Sequence, residues 1–189
     1  MVRFSQSELE AFRDATVPDL LGPGLRLLFV GINPGLWSAA TSSHFARAGN
    51  RFYPALLEAG IITRPITPSG GMTDDERAHL IERGVGITNL VARASARADE
   101  LTAAELREGA AVLTRLVERE SPRVVAVLGV TAYRTAFGLP RTQVGRQPTG
   151  IGGAELWVVP NPSGLNAHDT IDSLAVAYAE PARAAGLLP

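Results

Sequence analysis

Four short apolar runs, at residues 25–32, 85–91, 123–128 and 156–159, constrain most strongly what this chain can fold into. Each has the length of a strand, and none shows the apolar–polar alternation of a strand wetted on one face. Strands buried on both faces need cover on both sides, and helices supply it. Helical pattern occupies the stretches between and around them, at 7–15, 50–59, 102–120, 129–137 and 170–185, the last interrupted or ended near Pro181. The clearest is 102–120, where Thr102 and Glu105 make a capping box and Leu106, Ala110, Leu113 and Val117 recur at helical spacing. Strands and helices thus alternate. The expected fold is α/β, a three-layer α/β/α sandwich around a central, mainly parallel four-stranded sheet. A length of 189 residues suits one domain with a substantial core, so residues 1–189 are read as a single unit with 1–20 as an N-terminal helical extension.

Composition removes several kinds of chemistry. With no cysteine there is no disulfide, thiolate metal site or Cys nucleophile, and the three histidines, His44, His79 and His168, lack ligand spacing, which argues against a bound metal. All 18 basic residues are Arg, so no side chain can form a Schiff base. No run of about 18 apolar residues is present that would suit a bilayer, and the N-terminus lacks the apolar core of a signal peptide. The expectation is a cytoplasmic protein with no membrane association. The formal net charge of −1 says little about nucleic acid, because a local patch matters more than the total. Between Leu20 and Leu57 there are three Arg and no acidic residue, so that stretch is locally basic.

Two loops share a grammar. The first strand ends at Asn33-Pro34-Gly35 and the last at Asn161-Pro162-Ser163-Gly164. In parallel α/β sheets ligands bind beyond the carboxyl ends of strands, so both loops should converge on one cleft. Asn-Pro-Gly is also ordinary turn chemistry, and either copy alone would be read that way. What tips the balance is the stretch after the first copy, 33–49, far longer than the usual connection of about 4–6 residues. A phosphate-binding reading is weak: there is no GxxxxGK[ST] and no GxGxxG, and only Gly129-Val130-Thr131 opens a helix in a way that suits an anion. An Asn side chain is no general base at neutral pH, yet it can orient a water or read a base edge. No carboxylate lies between Asp19 and Glu58 to activate such a water. Chemistry centred on Asn33 must therefore need little base assistance, as when a stabilised anion leaves before water attacks.

Together, Gly31-Ile32-Asn33-Pro34-Gly35-Leu36, Phe45, Asn50-Arg51-Phe52-Tyr53 and Asn161-Pro162-Ser163-Gly164-Leu165 resemble the mismatch-specific uracil-DNA glycosylases, the group that includes thymine-DNA glycosylase. Gly86-Ile87-Thr88-Asn89-Leu90-Val91, Arg93 and Glu105-Leu106-Arg107-Glu108-Gly109 fit the same pattern, so the resemblance spans about residues 25–180. It implies a monomeric enzyme without cofactor or metal that acts on double-stranded DNA carrying uracil or another mismatched or damaged base. Asn33 would orient the attacking water. Gly31, Ile32, Pro34 and Gly35 would meet the base edge, and Phe45 would stack on the flipped base. Asn161, Pro162, Ser163, Gly164, Leu165 and Asn166 would form the wedge and phosphate contacts, with Leu165 entering the duplex, and Asn50, Arg51 and His168 would support the site. Three departures bear on substrate range: Ala92 stands where relatives often carry an acid, Asn166-Ala167 where some carry Ser-Arg, and His44, beside Phe45, where His is not usual. The competing readings are a glycosylase for deaminated purines or etheno-cytosine and a non-catalytic nucleotide-binding module.

Overall fold

The computed structural model describes residues 3–164 and 169–189. Five strands, β1 (Leu27–Gly31), β2 (Val85–Asn89), β3 (Val124–Leu128), β4 (Gly145–Arg146) and β5 (Glu155–Val159), form one sheet in the order β2-β1-β3-β5-β4. The first three pairings are parallel and β4 joins β5 antiparallel. All four expected strands are present. The additional β4 contributes two residues at an edge, too few to leave a periodic signal.

Every residue of β1 is buried. Leu27 and Phe29 face one cluster with Phe52, Leu56, Leu80, Leu174 and Tyr178, while Leu28 and Val30 face another with Leu106, Leu113, Val117, Ala132 and Tyr133. The strand lacks polar alternation because both its faces are core. Burying such a side chain is worth roughly 1.5–3 kcal/mol. The helices follow suit. With α1 (Gln6–Glu10) and α2 (Leu36–Ala40) preceding them, α3 (Phe52–Glu58), α4 (Asp74–Glu82) and α7 (Ile171–Ala184) cover the first face, and α5 (Ala103–Glu120) and α6 (Val130–Phe137) the second.

Several local expectations change. The helix expected over 7–15 stops at Glu10, and Asp14, with φ 63°, sends its N–H to Ala94 O at 3.0 Å. Residues beyond it extend along β2: Leu20 N donates to Ile87 O at 2.9 Å and Ile87 N to Leu20 O at 2.8 Å. An edge strand has open backbone groups, and here the N-terminal segment satisfies them instead of continuing as helix. The long connection after β1 contains α2, opened by Gly35 as its N-cap. Sequence reading missed α4, although its signal was present as the capping box of Thr73 and Glu76. Finally, α7 runs through Pro181 to Ala184.

Candidate active site at the carboxyl end of the sheet

Parallel pairing does not end where β1 and β2 end. Leu90 N donates to Gly31 O and Val91 N to Ile32 O, both at 2.9 Å, and Ser95 N donates to Pro34 O at 3.1 Å. The Asn-Pro-Gly turn is thereby stitched to residues 90–95. Within that stitch the Asn33 amide nitrogen donates to Ser95 Oγ at 2.8 Å, Arg93 O at 3.1 Å and Pro34 O at 3.2 Å. Two of these are carbonyls, and the Ser95 hydroxyl already donates to Arg97 O at 2.7 Å. Only an NH2 group can face three acceptors, so the orientation of the amide is fixed by its surroundings. Asn33 Oδ1 has no partner among the described residues, and Asn33 lines a cavity of about 600 Å3. That volume falls within the roughly 300–1,000 Å3 range of small-ligand pockets.

The segment that holds Asn33 is itself anchored from below. Arg93 donates to both Glu105 oxygens, to Asp14 and to Glu100 O. The Arg93 guanidinium, helped by the Thr102 backbone and hydroxyl, lowers the Glu105 carboxyl to about 2.

Gly31, Phe45 and Asn89 contribute another part of the lining. Phe45 adopts a left-handed φ of 54°, uncommon for an aromatic residue, and its N–H has no acceptor among the described residues. Tethers on both sides hold this conformation: Ala46 N donates to Ser38 Oγ, Met72 N to Ser43 Oγ, and Tyr53 OH to His44 O. The ring is half-buried and rests on Phe52, centroids 4.1 Å apart, and Phe52 meets Phe29 of β1 edge-on at 5.2 Å. Phe45 is thus neither a simple core residue nor an isolated loop aromatic. It is a cavity wall backed by the core. At Gly31 a Cβ would lie 2.4 Å from Asn89 Oδ1 and 3.3 Å from Phe45 Cζ, so only glycine leaves the space between them open.

The two Asn-Pro loops do converge. Arg51 N donates to Pro162 O at 3.0 Å, a Cβ on Gly164 would meet Gly49 O at 2.7 Å, and Asn161 and Ser163 line the same cavity as Asn33. Ser163 N donates to Asn161 Oδ1 at 3.0 Å, a local turn closed by the side chain. Of the residues proposed from sequence, Gly31, Ile32, Asn33, Pro34, Gly35, Phe45, Asn50, Asn161 and Ser163 line the cavity. Pro162 is buried beside it and Gly164 is exposed. Arg51 Nη1 reaches Asp169 O at 2.6 Å, which makes this residue a clasp between loops, while Asn50 Oδ1 accepts from Phe52 N at the start of α3. Leu165, Asn166 and His168 lie outside the described residues.

Sequence reasoning assigned no role to Asn89, His44, Ser95, Arg97 or Asp99, all of which line the cavity. Asn89 lies in the Gly86–Val91 motif and His44 is an unusual neighbour of Phe45, but the importance of all five comes from what folding brings beside them. Among the lining residues Asp99 is the sole carboxylate, and both its oxygens accept from Arg97, which holds its pKa below the usual range. A carboxylate so held is a poor proton acceptor. Among the described residues no group of three or more His, Asp or Glu side chains could hold a metal, and no helix is long and apolar enough to cross a membrane.

Residues 18–180 match the family model described as the Uracil DNA glycosylase superfamily. The fold is similar to the solution NMR structure of a "putative Uracil DNA glycosylase" from Methanosarcina acetivorans, with a TM-score of 0.60 and 17% identity over 88% of this chain and 96% of the other.

Proposed function

Because this chain belongs to the uracil DNA glycosylase superfamily, we propose that it flips uracil out of duplex DNA, preferentially from G·U mismatches, and hydrolyses the N-glycosidic bond to leave an abasic site. The observation that carries this reading is the Asn33 amide, clamped through its nitrogen by three acceptors with its oxygen left for a water. Extracting a base costs a few kcal/mol and least for a mismatched one, which favours uracil opposite guanine. Once extracted, the base stacks on Phe45, and Asn89 offers one N–H and one carbonyl to the O4 and N3–H of uracil.

The C1′–N1 bond breaks with its electron pair going to the pyrimidine. Negative charge then spreads over the base, where the Phe45 N–H and an Asn89 N–H stabilise it. Water held by Asn33 Oδ1 adds to the oxocarbenium-like carbon and releases its proton to solvent. Neither Asn33 nor the Arg97-bound Asp99 is a useful base, which matches a path where the leaving group departs first. With no Lys, a side-chain Schiff base cannot form, so the enzyme is monofunctional and leaves the DNA strand intact. The protein acts as a monomer in the cytoplasm wherever DNA is reached, and requires no cofactor. Leu165 is the wedge that fills the vacated stack.

Incubating the protein with a G·U duplex and assaying free uracil and alkali-labile sites tests the reading; a protein that binds the duplex and releases no uracil overturns it. A panel containing thymine, etheno-cytosine and deaminated purines opposite guanine then fixes the substrate range. The Leu165→Ala variant should lose more activity on duplex than on single-stranded substrate, and equal loss on both removes the wedge. Because its phosphate contacts come from Arg, DNA affinity should fall as salt rises.

A further inference from the structure

Whether an Asn amide can tell uracil from cytosine depends on which way round it sits. Uracil presents an acceptor at O4 beside a donor at N3, and cytosine presents a donor at N4 beside an acceptor at N3. A base held in one pose and an amide held in one orientation accept one of these patterns and refuse the other. A freely turning amide accepts both.

The Asn89 amide is held by His44. His44 is 4% exposed, with Nε2 3.0 Å from Pro18 O and Nδ1 3.3 Å from Asn89 Nδ2. A backbone carbonyl only accepts, so Nε2 carries a proton. Burial disfavours the imidazolium and lowers the pKa, so Nδ1 is bare and accepts. The group facing it must therefore be the Asn89 NH2. Asn89 Oδ1 is correspondingly turned toward Gly31, into space that a Cβ would fill. Pro18, which sets the tautomer, sits on the segment bonded to β2 through Leu20 and Ile87, and Thr88 Oγ1 donates to the neighbouring Asp19 at 2.7 Å.

We propose that His44 is a positioning residue that fixes the Asn89 amide in the orientation that accepts uracil and refuses cytosine, and that this selectivity is lost when the imidazole takes a second proton. A proton on Nδ1 would set two N–H groups against each other, and turning the amide over relieves the clash. The charged groups facing His44 are Asp19 on the N-terminal segment, which favours the imidazolium, and Arg77 on α4, which opposes it. From α3 comes the Tyr53 phenol, whose pKa burial raises so that it stays neutral, and from β2 the neutral Asn89. The proposal rests on the glycosylase reading above and adds to it the residue that determines pyrimidine selectivity.

The test is single-turnover excision of 5-fluorouracil and 5-fluorocytosine, each opposite guanine, by the full chain between about pH 8 and about pH 5. Fluorine improves both leaving groups, and comparing each variant's ratio with that of the wild type cancels the intrinsic difference between the two bases. The wild type should prefer 5-fluorouracil, with a ratio that falls toward acid. His44→Leu should lower the neutral-pH ratio by at least about tenfold, whereas His44→Gln, which can also donate to Pro18 and accept from Asn89, should stay within about threefold and lose the acid fall. An unchanged ratio in folded His44→Leu overturns the proposal. Should that variant not fold, a His44→Gln profile that keeps the wild-type acid fall overturns it, as does a flat wild-type profile. Absence of excision of either base by the wild type would instead defeat the glycosylase reading itself.

Discussion

Asn33 and Asn161 occupy the same local sequence, a buried strand followed by Asn-Pro, yet use opposite ends of the same amide. Asn33 commits its nitrogen to three acceptors of the scaffold and turns its oxygen to the cavity. Asn161 commits its oxygen to Ser163 N, one turn within its own loop. The difference arises in what lies alongside each strand end. Residues 90–95 run parallel to the first loop and supply carbonyls and a hydroxyl, whereas the second loop lies against Gly49 and Arg51. Identical turn chemistry thus leaves the amide oxygen without a described partner in one place and ties it into the loop in the other.

The sharpest way to break this comparison is to remove Asn33. Asn33→Ala should reduce uracil release from a G·U duplex by about 10²–10³-fold in single turnover while largely preserving duplex binding, the size expected when an aligned polar group is lost from an active site. Asn161→Ala should change affinity more than the chemical step; equal losses in the two variants would abolish the distinction.

Next in size is Gly31→Ala. Its Cβ would push the Asn89 amide off the position where His44 holds it and narrow the gap toward Phe45, so excision should fall by about 10–100-fold. A wild-type rate would show that the gap between Asn89 and Phe45 is not where the base goes.

Replacing Asn by Asp at each site tests the opposite amide orientations directly. Asn33→Asp sets a carboxylate against three acceptors and should cost about 1–3 kcal/mol in denaturant unfolding. Asn161→Asp keeps the acceptor for Ser163 N and should therefore retain the turn at 161–163.

The smallest expected effect concerns the base of the first loop. Glu105 ionises at about 2 in the folded protein against 4.5 ordinarily, chiefly through its bonds from Arg93. A lowered folded pKa means that its contribution to stability is present above 4.5 and is lost as pH falls toward 2. Glu105→Gln should therefore lower stability at neutral pH and flatten the acid loss in that window, seen in unfolding midpoints measured across it.

Much of this was legible in the chain and some of it was not. The strands were visible because a doubly covered sheet demands unbroken apolar runs, and 27–31, 85–89, 124–128 and 155–159 meet that demand. The long helix was visible because its cap and its apolar face are local. By contrast, the N-terminal helix ended early because β2 offered open backbone groups, an attraction between residues about 70 positions apart in sequence. The apparent loop after β1 hid the five-residue α2, too short for its pattern to rise above the surrounding small residues.

For the site, sequence by itself determined which chemistry was possible. An amide in a carboxylate-free loop limits chemistry there to steps that need little base assistance, and the lack of Lys and Cys excludes side-chain Schiff bases and thiolates. Tertiary structure decided which end of each amide faces the cavity. Asn33 points its oxygen inward because Arg93 and Ser95, some sixty residues away, present acceptors to its nitrogen. Asn89 is oriented by a histidine 45 positions earlier, whose tautomer is in turn set by Pro18. An amide carries a donor and an acceptor of nearly equal size, so its own sequence position cannot choose between them, and only partners brought together by folding can.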